Sequence, residues 1–323
     1  MRALICDEYG EIEGLRVGEL PEPDPGPGTV LVKVEAVTVN FADTLMVKGQ
    51  YQVRPDPPFA PGYELAGTVT VANQAGGLAP GDRVCGFTPY GGLAEKAVLD
   101  MSNVARIPDT IDSDTASTLP GGYGTSYHAL VDRARLAEGE TLLVLGASGG
   151  VGMSAVQIGN ILGARVLAAV SSEEKAAAAR RAGAHEIIRY DQMPIRDAIA
   201  TVTDHGGVDV VYDPVGGTTT EQALRSTNWN GRLLVVGFAA GDIPSIPLNL
   251  PLLKGNALLG VFWGRFTREE PERHHKNFAR IVEWAAEGKI EPVIQRRFGL
   301  DEGADALQWV ADRKAIGRVI VNP

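Results

Sequence analysis

Cysteine is nearly missing from this chain: 323 residues carry only Cys6 and Cys85, with no paired spacing. That excludes a disulfide framework and fits a reducing compartment, so a cytoplasmic location is expected. No run reaches the roughly 18 consecutive apolar residues that read as a membrane span. The opening MRALICDEYGEIEG meets acids too early for a signal peptide. Positive charge is in deficit, with 30 Lys and Arg against 40 Asp and Glu and a net charge of −10 at pH 7. A chain of that sign is not expected to bind the backbone of a nucleic acid. Internal repeats and low-complexity segments are absent. Five histidines (His128, His185, His205, His274 and His275) show no ligand spacing with a cysteine, so no metal site is expected. His274 and His275 sit in a polar helical stretch and read as solvated. What remains is ordinary globular composition, 44% apolar and 22% charged, at a length that suggests two domains.

Residues 1 to about 115 read as β-rich. TVLVKVEAVTV, ELAGTVTVA, DRVCGF and LAEKAVL are short, apolar and β-branched, and Gly, Pro and Asp separate them. PEPDPGPG (residues 21–28) is a rigid turn. YQVRPDPPFAPG (51–62) is too rich in proline for a regular element and reads as an ordered loop. From about 116 to 265 strands alternate with helices: TLLVL, RVLAAV, EIIRY, VDVVYD and RLLVVGF are the strands. That alternation predicts an α/β fold with a doubly wound parallel sheet. ALLGVFWG (257–264) reads as one more strand at the sheet edge. An apolar edge is a liability unless paired, which predicts a homodimer through it. The tail, helix EPERHHKNFARIVEWAAEG, strand VIQRRF, helix GADALQWVADR and strand RVIV, returns to mixed structure.

The stretch LVLGASGGVGMSAVQIGNILGARVLAAVSSEEK (within 142–175) is the richest in information. It reads strand, glycine turn, helix, strand. Gly149 and Gly150 permit a tight turn and close approach of a pyrophosphate, with Val151 beside them. Gly152 lets the helix lie close to the strand, and the helix N-terminus presents N–H groups to phosphate. In a chain that binds NAD, an Asp or Glu roughly 20 residues past the glycines takes the ribose 2′-hydroxyl. Here that place holds Ser171 and Ser172, followed by Lys175. Hydroxyls and a cation suit a 2′-phosphate, so NADPH is the expected cofactor. Glu173 and Glu174 weaken that case unless they point outward from the first helical turn, where the helix dipole favours them.

VNFADTLMVKGQY, PFAPGYELAGTV, PGDRV, ASGGVG, DPVGG and GRLLVVGFAAGDIPSIPLNL, taken in order, resemble the medium-chain dehydrogenase/reductase superfamily. They are most similar to its zinc-free quinone oxidoreductase branch, the zeta-crystallin group. The resemblance runs almost end to end. It implies a GroES-like β-rich catalytic domain (1–115, completed by 266–323) around a Rossmann dinucleotide-binding domain (116–265), with an active-site cleft between them. Zinc members hold their metal with Cys, His and Cys, which fall by motif position on Asn40, Tyr63 and near Gly121. None of these is an ordinary zinc ligand. Asp43 and Glu64 persist from the surrounding pattern.

Without a Lewis acid, alcohol oxidation is hard, whereas a quinone or an α,β-unsaturated carbonyl accepts hydride readily. The resemblance implies Asn40, Tyr51 and Tyr63 as the polar residues facing that acceptor. Leu45 stands where some bacterial relatives have a further tyrosine, so no general acid is assigned. The resemblance further implies Thr125 behind the nicotinamide, and Ser171, Lys175 and Tyr190 on the adenosine 2′-phosphate. Phe238 and Ala240 are expected near the nicotinamide ribose, Val261 and Trp263 at the carboxamide, and Arg313 near the cofactor. The expected activity is NADPH-dependent reduction of a quinone or enone. Reduction of an enoyl-CoA, enoyl thioester or 2-alkenal, and a non-catalytic NADPH-binding structural role, stay open as alternatives.

Overall fold

The computed structural model describes residues 1–73, 77–203 and 206–323, so His205 lies outside the described residues. The chain divides into two compact units. One comprises Met1–Gly121, Glu269–Gly288 and Ile294–Pro323; the other comprises Gly122–Arg268 and Lys289–Val293.

The first unit opens with an antiparallel ribbon of β1 (Arg2–Ile5) and β2 (Arg16–Glu19). Its main elements are β3 (Thr29–Val39), α1 (Phe41–Val47), β4 (Glu64–Ala72), β5 (Arg83–Phe87), β6 (Lys96–Asp100), β7 (Val104–Arg106) and α2 (Ser113–Ser117). The second unit contains α3 (Gly124–Tyr127), β8 (Thr141–Val144), α4 (Gly150–Ile161), β9 (Arg165–Val170) and α5 (Glu173–Arg181). It continues through β10 (Glu186–Arg189), α6 (Ile195–Val202), β11 (Val208–Asp213), α7 (Thr218–Arg225), β12 (Thr227–Val235), α8 (Asn249–Lys254), β13 (Ala257–Gly260) and α9 (Trp263–Glu269). The chain then returns to the first unit with α10 (Pro271–Ala286), β14 (Ile294–Gly299), α11 (Gly303–Ala311) and β15 (Arg318–Asn322).

The β-branched run of β3 forms the spine of the first unit. It pairs antiparallel with β4, β6 and β15, within a seven-stranded sheet of order β14-β15-β3-β4-β5-β7 to which β6 is joined through β3. Val319 lies opposite Val39, so the two ends of the chain complete one sheet. Its core is aliphatic: Val30, Val32, Leu65, Val84, Leu99, Leu307 and Val321 are all buried.

The second unit is a six-stranded parallel sheet of order β10-β9-β8-β11-β12-β13. Its strands are nearly continuous apolar runs, as expected where both faces are covered; RVLAAV of β9 has five buried residues in succession. The order reverses between β8 and β11, the place where such sheets open a ligand crevice at the strands' C-terminal ends. One expectation needs correction. The edge strand ends at Gly260, and residues 261–264 do not extend it. Val261 N–H still bonds Val235 C=O at 2.9 Å, but the Phe262 carbonyl already accepts from Arg265 and Phe266 N–H, starting the turn into α9. No helix among the described residues is long and apolar enough to cross a membrane.

Candidate active site

In the first unit the polar residues gather around one buried carboxylate. Asn40 ends β3 and precedes α1 in extended backbone (φ −120°, ψ 160°), and its N–H donates to Asp43 Oδ2 at 2.8 Å. Its side chain turns back: Nδ2 donates to Glu64 Oε1 at 2.7 Å and to Thr38 C=O at 3.1 Å. Glu64, the first residue of β4, is fully buried. Its Oε2 accepts from Gly121 N–H at 2.6 Å. Arg318 opens β15 and is itself buried. Its Nη1 lies 3.8 Å from Glu64 Oε1 and 3.5 Å from Asn40 Oδ1. Tyr63 packs against Gly121: a Cβ there would stand 2.6 Å from Tyr63 Cε2 and 2.8 Å from Glu64 Oε2. Glycine is therefore required at 121 by close approach alone.

The three residues that the resemblance sets at zinc-ligand positions thus converge on Glu64. Asn40 and Gly121 hydrogen-bond it, and Tyr63 fills the adjoining space. Among the described residues no group of three or more His, Cys, Asp or Glu is placed to hold a metal ion. Burial pushes the Asp43 carboxyl up to about 7, with Glu64 adding repulsion and the Asn40 and Gly62 N–H groups opposing it. Tyr51 is half-buried; its hydroxyl is raised by burial and then by Asp43. The Tyr63 hydroxyl is pushed well above its ordinary value, chiefly by burial, with Glu64 and Asp43 next. Both tyrosines are therefore neutral donors at pH 7. Sequence reasoning missed Arg318, because one arginine before an apolar strand carries no signature.

In the second unit the glycine turn divides its work differently from the expectation. The left-handed residue is Gly146 (φ 58°), whereas Gly149 is in ordinary extended backbone (φ −82°) as the residue before α4. Gly152 acts as expected, since a Cβ there would stand 2.9 Å from Ala147 Cα, and the helix could not lie so close to the strand. A Cβ at Gly149 would meet only Gly146 C=O, at 3.5 Å, so there is open space beside it. Gly150 and Val151 begin α4. The Val151 carbonyl is fixed by Ser126 Oγ at 3.0 Å, which also shares a hydrogen bond with Tyr212 Oη at 2.9 Å. Thr125 is the neighbour of that buried serine in α3.

At the end of β9, Ser172 caps α5, its Oγ accepting from Lys175 N–H at 3.2 Å. Lys175 Nζ donates to Ser171 Oγ at 3.3 Å. Hydroxyl and ammonium are thus already side by side. Tyr190 follows β10 and lines a cavity of about 440 Å³ with Thr218, Thr219 and Gln222. Phe238 and Ala240 lie on an exposed loop tied back by Ala240 N–H to Val215 C=O at 2.8 Å. Val261 N–H is committed to Val235, so what Val261 offers a ligand is its carbonyl. Trp263 is buried against Gly124, where a Cβ would sit 2.9 Å from the indole. Arg313 belongs to the first unit, exposed in a left-handed turn (φ 58°) after α11.

A parallel sheet with a glycine turn at its switch point, together with a β unit completed by both chain ends, defines a nucleotide-dependent oxidoreductase class. Residues 26–109 match the alcohol dehydrogenase GroES-like domain and residues 150–283 the zinc-binding dehydrogenase family. The chain belongs to the medium-chain dehydrogenase/reductase superfamily, in its zinc-free quinone oxidoreductase branch. It is 36% identical to mouse quinone oxidoreductase-like protein 2 over 323 residues, covering 99% of this chain and 92% of the relative. It is 33% identical to rat quinone oxidoreductase over 310 residues, covering 95% and 92%. Among solved structures, mycobacterial Rv1454c complexed with NADPH superposes with a TM-score of 0.92 at 31% identity, covering 100% of both chains.

Proposed function

We propose that the chain is an NADPH-dependent reductase that passes hydride to a quinone or another α,β-unsaturated carbonyl without zinc. The observation that carries this reading is the convergence of Asn40, Tyr63 and Gly121 on Glu64. An amide, a phenol and a backbone N–H occupy the places of a metal's ligands; the amide and the backbone N–H are spent on Glu64 and Thr38, so the phenol is left to donate a hydrogen bond in place of Lewis acidity. NADPH, when bound, supplies the hydride. The chain's residues fit it: the cleared space at Gly149 suits the pyrophosphate, and the Ser171–Lys175 pair, in direct contact, suits the 2′-phosphate. The second unit (the expected 116–265) would hold the cofactor. The first (1–115 with 266–323) would supply Asn40, Tyr51 and Tyr63 for the acceptor.

Hydride arriving at carbon leaves negative charge on the acceptor oxygen. A neutral phenol at Tyr51 or Tyr63 stabilises that oxygen by donating to it. Neither tyrosine gives up its proton readily, since burial and the nearby carboxylates oppose a phenolate. The proton that completes the reduction then comes from water.

The reading includes a homodimer. β13 is an edge strand with Leu258 39% exposed, and Leu248, Leu252 and Leu253, in the segment that precedes it, are 70–79% exposed. A second copy would cover that face. The two cysteines are buried and free, as a cytoplasmic protein requires. The test is a steady-state screen of NADPH oxidation against quinones, enones and enoyl-CoA esters in chelated buffer. Turnover with quinones or enones is expected. Turnover confined to enoyl-CoA would move the assignment to the thioester reductases, and no turnover with any acceptor would refute it.

A further inference from the structure

The 2′-phosphate cradle is flanked by acids. Glu173 lies between Ser171 and Lys175 in sequence, and Asp191 follows Tyr190. Left unpaired, two carboxylates at this place would repel a phosphate dianion and favour an unphosphorylated ribose. One side chain deals with both. Arg189 ends β10, next to Val170 at the end of β9. Its Nη1 donates to Glu173 Oε2 at 2.6 Å. Its Nε and Nη2 grip Asp191 Oδ1 and Oδ2 at 2.8 and 2.7 Å in a two-pronged pair. Arg180, about two helix turns along α5, takes the other Glu173 oxygen at 3.1 Å. Glu173 is 71% exposed while Arg189 is only 18% exposed, so the ordered member is the arginine. The carboxylate is drawn toward β10 and α5, while Lys175 keeps its contact with Ser171.

We propose that Arg189 sets the preference for the phosphorylated cofactor as a positioning residue, by holding Glu173 and Asp191 away from the Ser171–Lys175–Tyr190 cradle. This rests on the NADPH reading above. It differs from a phosphate-binding arginine, because all three guanidinium nitrogens already donate to carboxylates, through three of the five N–H groups. An isolated exposed ion pair is worth little to stability. Here the consequence is in the field at the cradle: a freed carboxylate several ångströms from a dianion, screened by water and salt, weakens binding by about five- to tenfold.

The experiment is titration of the intact protein with NADPH and NADH, following Kd. Arg189→Met is expected to weaken NADPH about five- to tenfold, leave NADH within about twofold, and lose this difference in 0.5 M salt. Adding Glu173→Gln and Asp191→Asn to Arg189→Met should restore most of the NADPH affinity. Arg189→Lys keeps the charge but not the fork, and should lose part of the preference, again recovered by Glu173→Gln with Asp191→Asn; it serves if Arg189→Met does not fold. Glu173→Gln alone should bind NADPH at least as tightly as the parent. An unchanged preference in Arg189→Met and Arg189→Lys overturns the inference. So does a variant with Arg189→Met, Glu173→Gln and Asp191→Asn together that stays weak, which would make Arg189 a direct phosphate ligand. If the parent itself binds both cofactors equally, the cofactor reading has failed rather than this one.

Discussion

His274 makes the protein acid-sensitive in a defined pH window. It is the fourth residue of α10, 2% exposed, with Phe87 edge-on at 5.7 Å and Phe278 stacked at 5.8 Å. Burial, then the charge of His275, lowers its pKa from 6.5 to about 4. A histidine depressed in the folded state stays neutral there while the unfolded chain takes up a proton. Its full contribution to stability is therefore present above pH 6.5 and is lost as pH falls toward 4. The interval from 6.5 to about 4, at about 1.4 kcal/mol per pH unit, caps the loss at about 3 kcal/mol. By pH 5 about 2 kcal/mol of it is spent. Urea unfolding of the parent and of His274→Leu at pH 7.5 and 5.0 isolates the effect. The parent should lose about 2 kcal/mol more than the variant between the two values. Equal losses would mean that His274 is solvated and protonates freely in the folded chain, and the burial argument would be wrong.

Other substitutions probe other parts of the account. Gly121→Ala places a methyl against Tyr63 and Glu64 and should cost about 1–3 kcal/mol in thermal or urea unfolding; an unchanged midpoint would mean the site yields there. Lys175→Ala should weaken NADPH by about tenfold or more, the worth of one charged hydrogen bond, and leave NADH alone; equal loss for both would refute its role. Leu258→Lys on the exposed edge of β13 should shift sedimentation from dimer to monomer, and an unaltered sedimentation coefficient would place the interface elsewhere. Tyr51→Phe should lower kcat/KM for quinones while the NADPH Kd stays fixed; an unchanged kcat/KM would remove its hydroxyl from the site.

The fold was legible because both of its halves announce themselves by pattern. Runs such as RVLAAV and VDVVYD, spaced by helices, can only be buried parallel strands, and the β-branched TVLVKVEAVTV became the spine of the other sheet. The glycine cradle was legible in place but not in detail: sequence cannot tell which glycine turns left-handed, and the role falls to Gly146. The strand expected over 257–264 stopped at Gly260 because apolar residues continue unbroken from β13 into α9, so hydrophobicity carries no boundary there. His274 was read as solvated from the charges around it. Its spacing with Phe278, Ile281 and Val282 places it on the apolar stripe of α10, a signal that periodicity held and local composition hid. Arg318 and the Arg189 clamp were illegible for a different reason. Each joins residues far apart in sequence, Arg318 to Glu64 and Arg189 to Glu173, and only the folded chain brings them together.

The central claim is hydride delivery from NADPH with no metal. Turnover of NADPH carrying deuterium on the transferable C4 position, with an enone, in the presence of a strong chelator, tests it most directly. The account predicts one deuterium on the β-carbon of the saturated product and a rate indifferent to the chelator. Unlabelled enone recovered intact, or activity that the chelator abolishes and zinc restores, would contradict it.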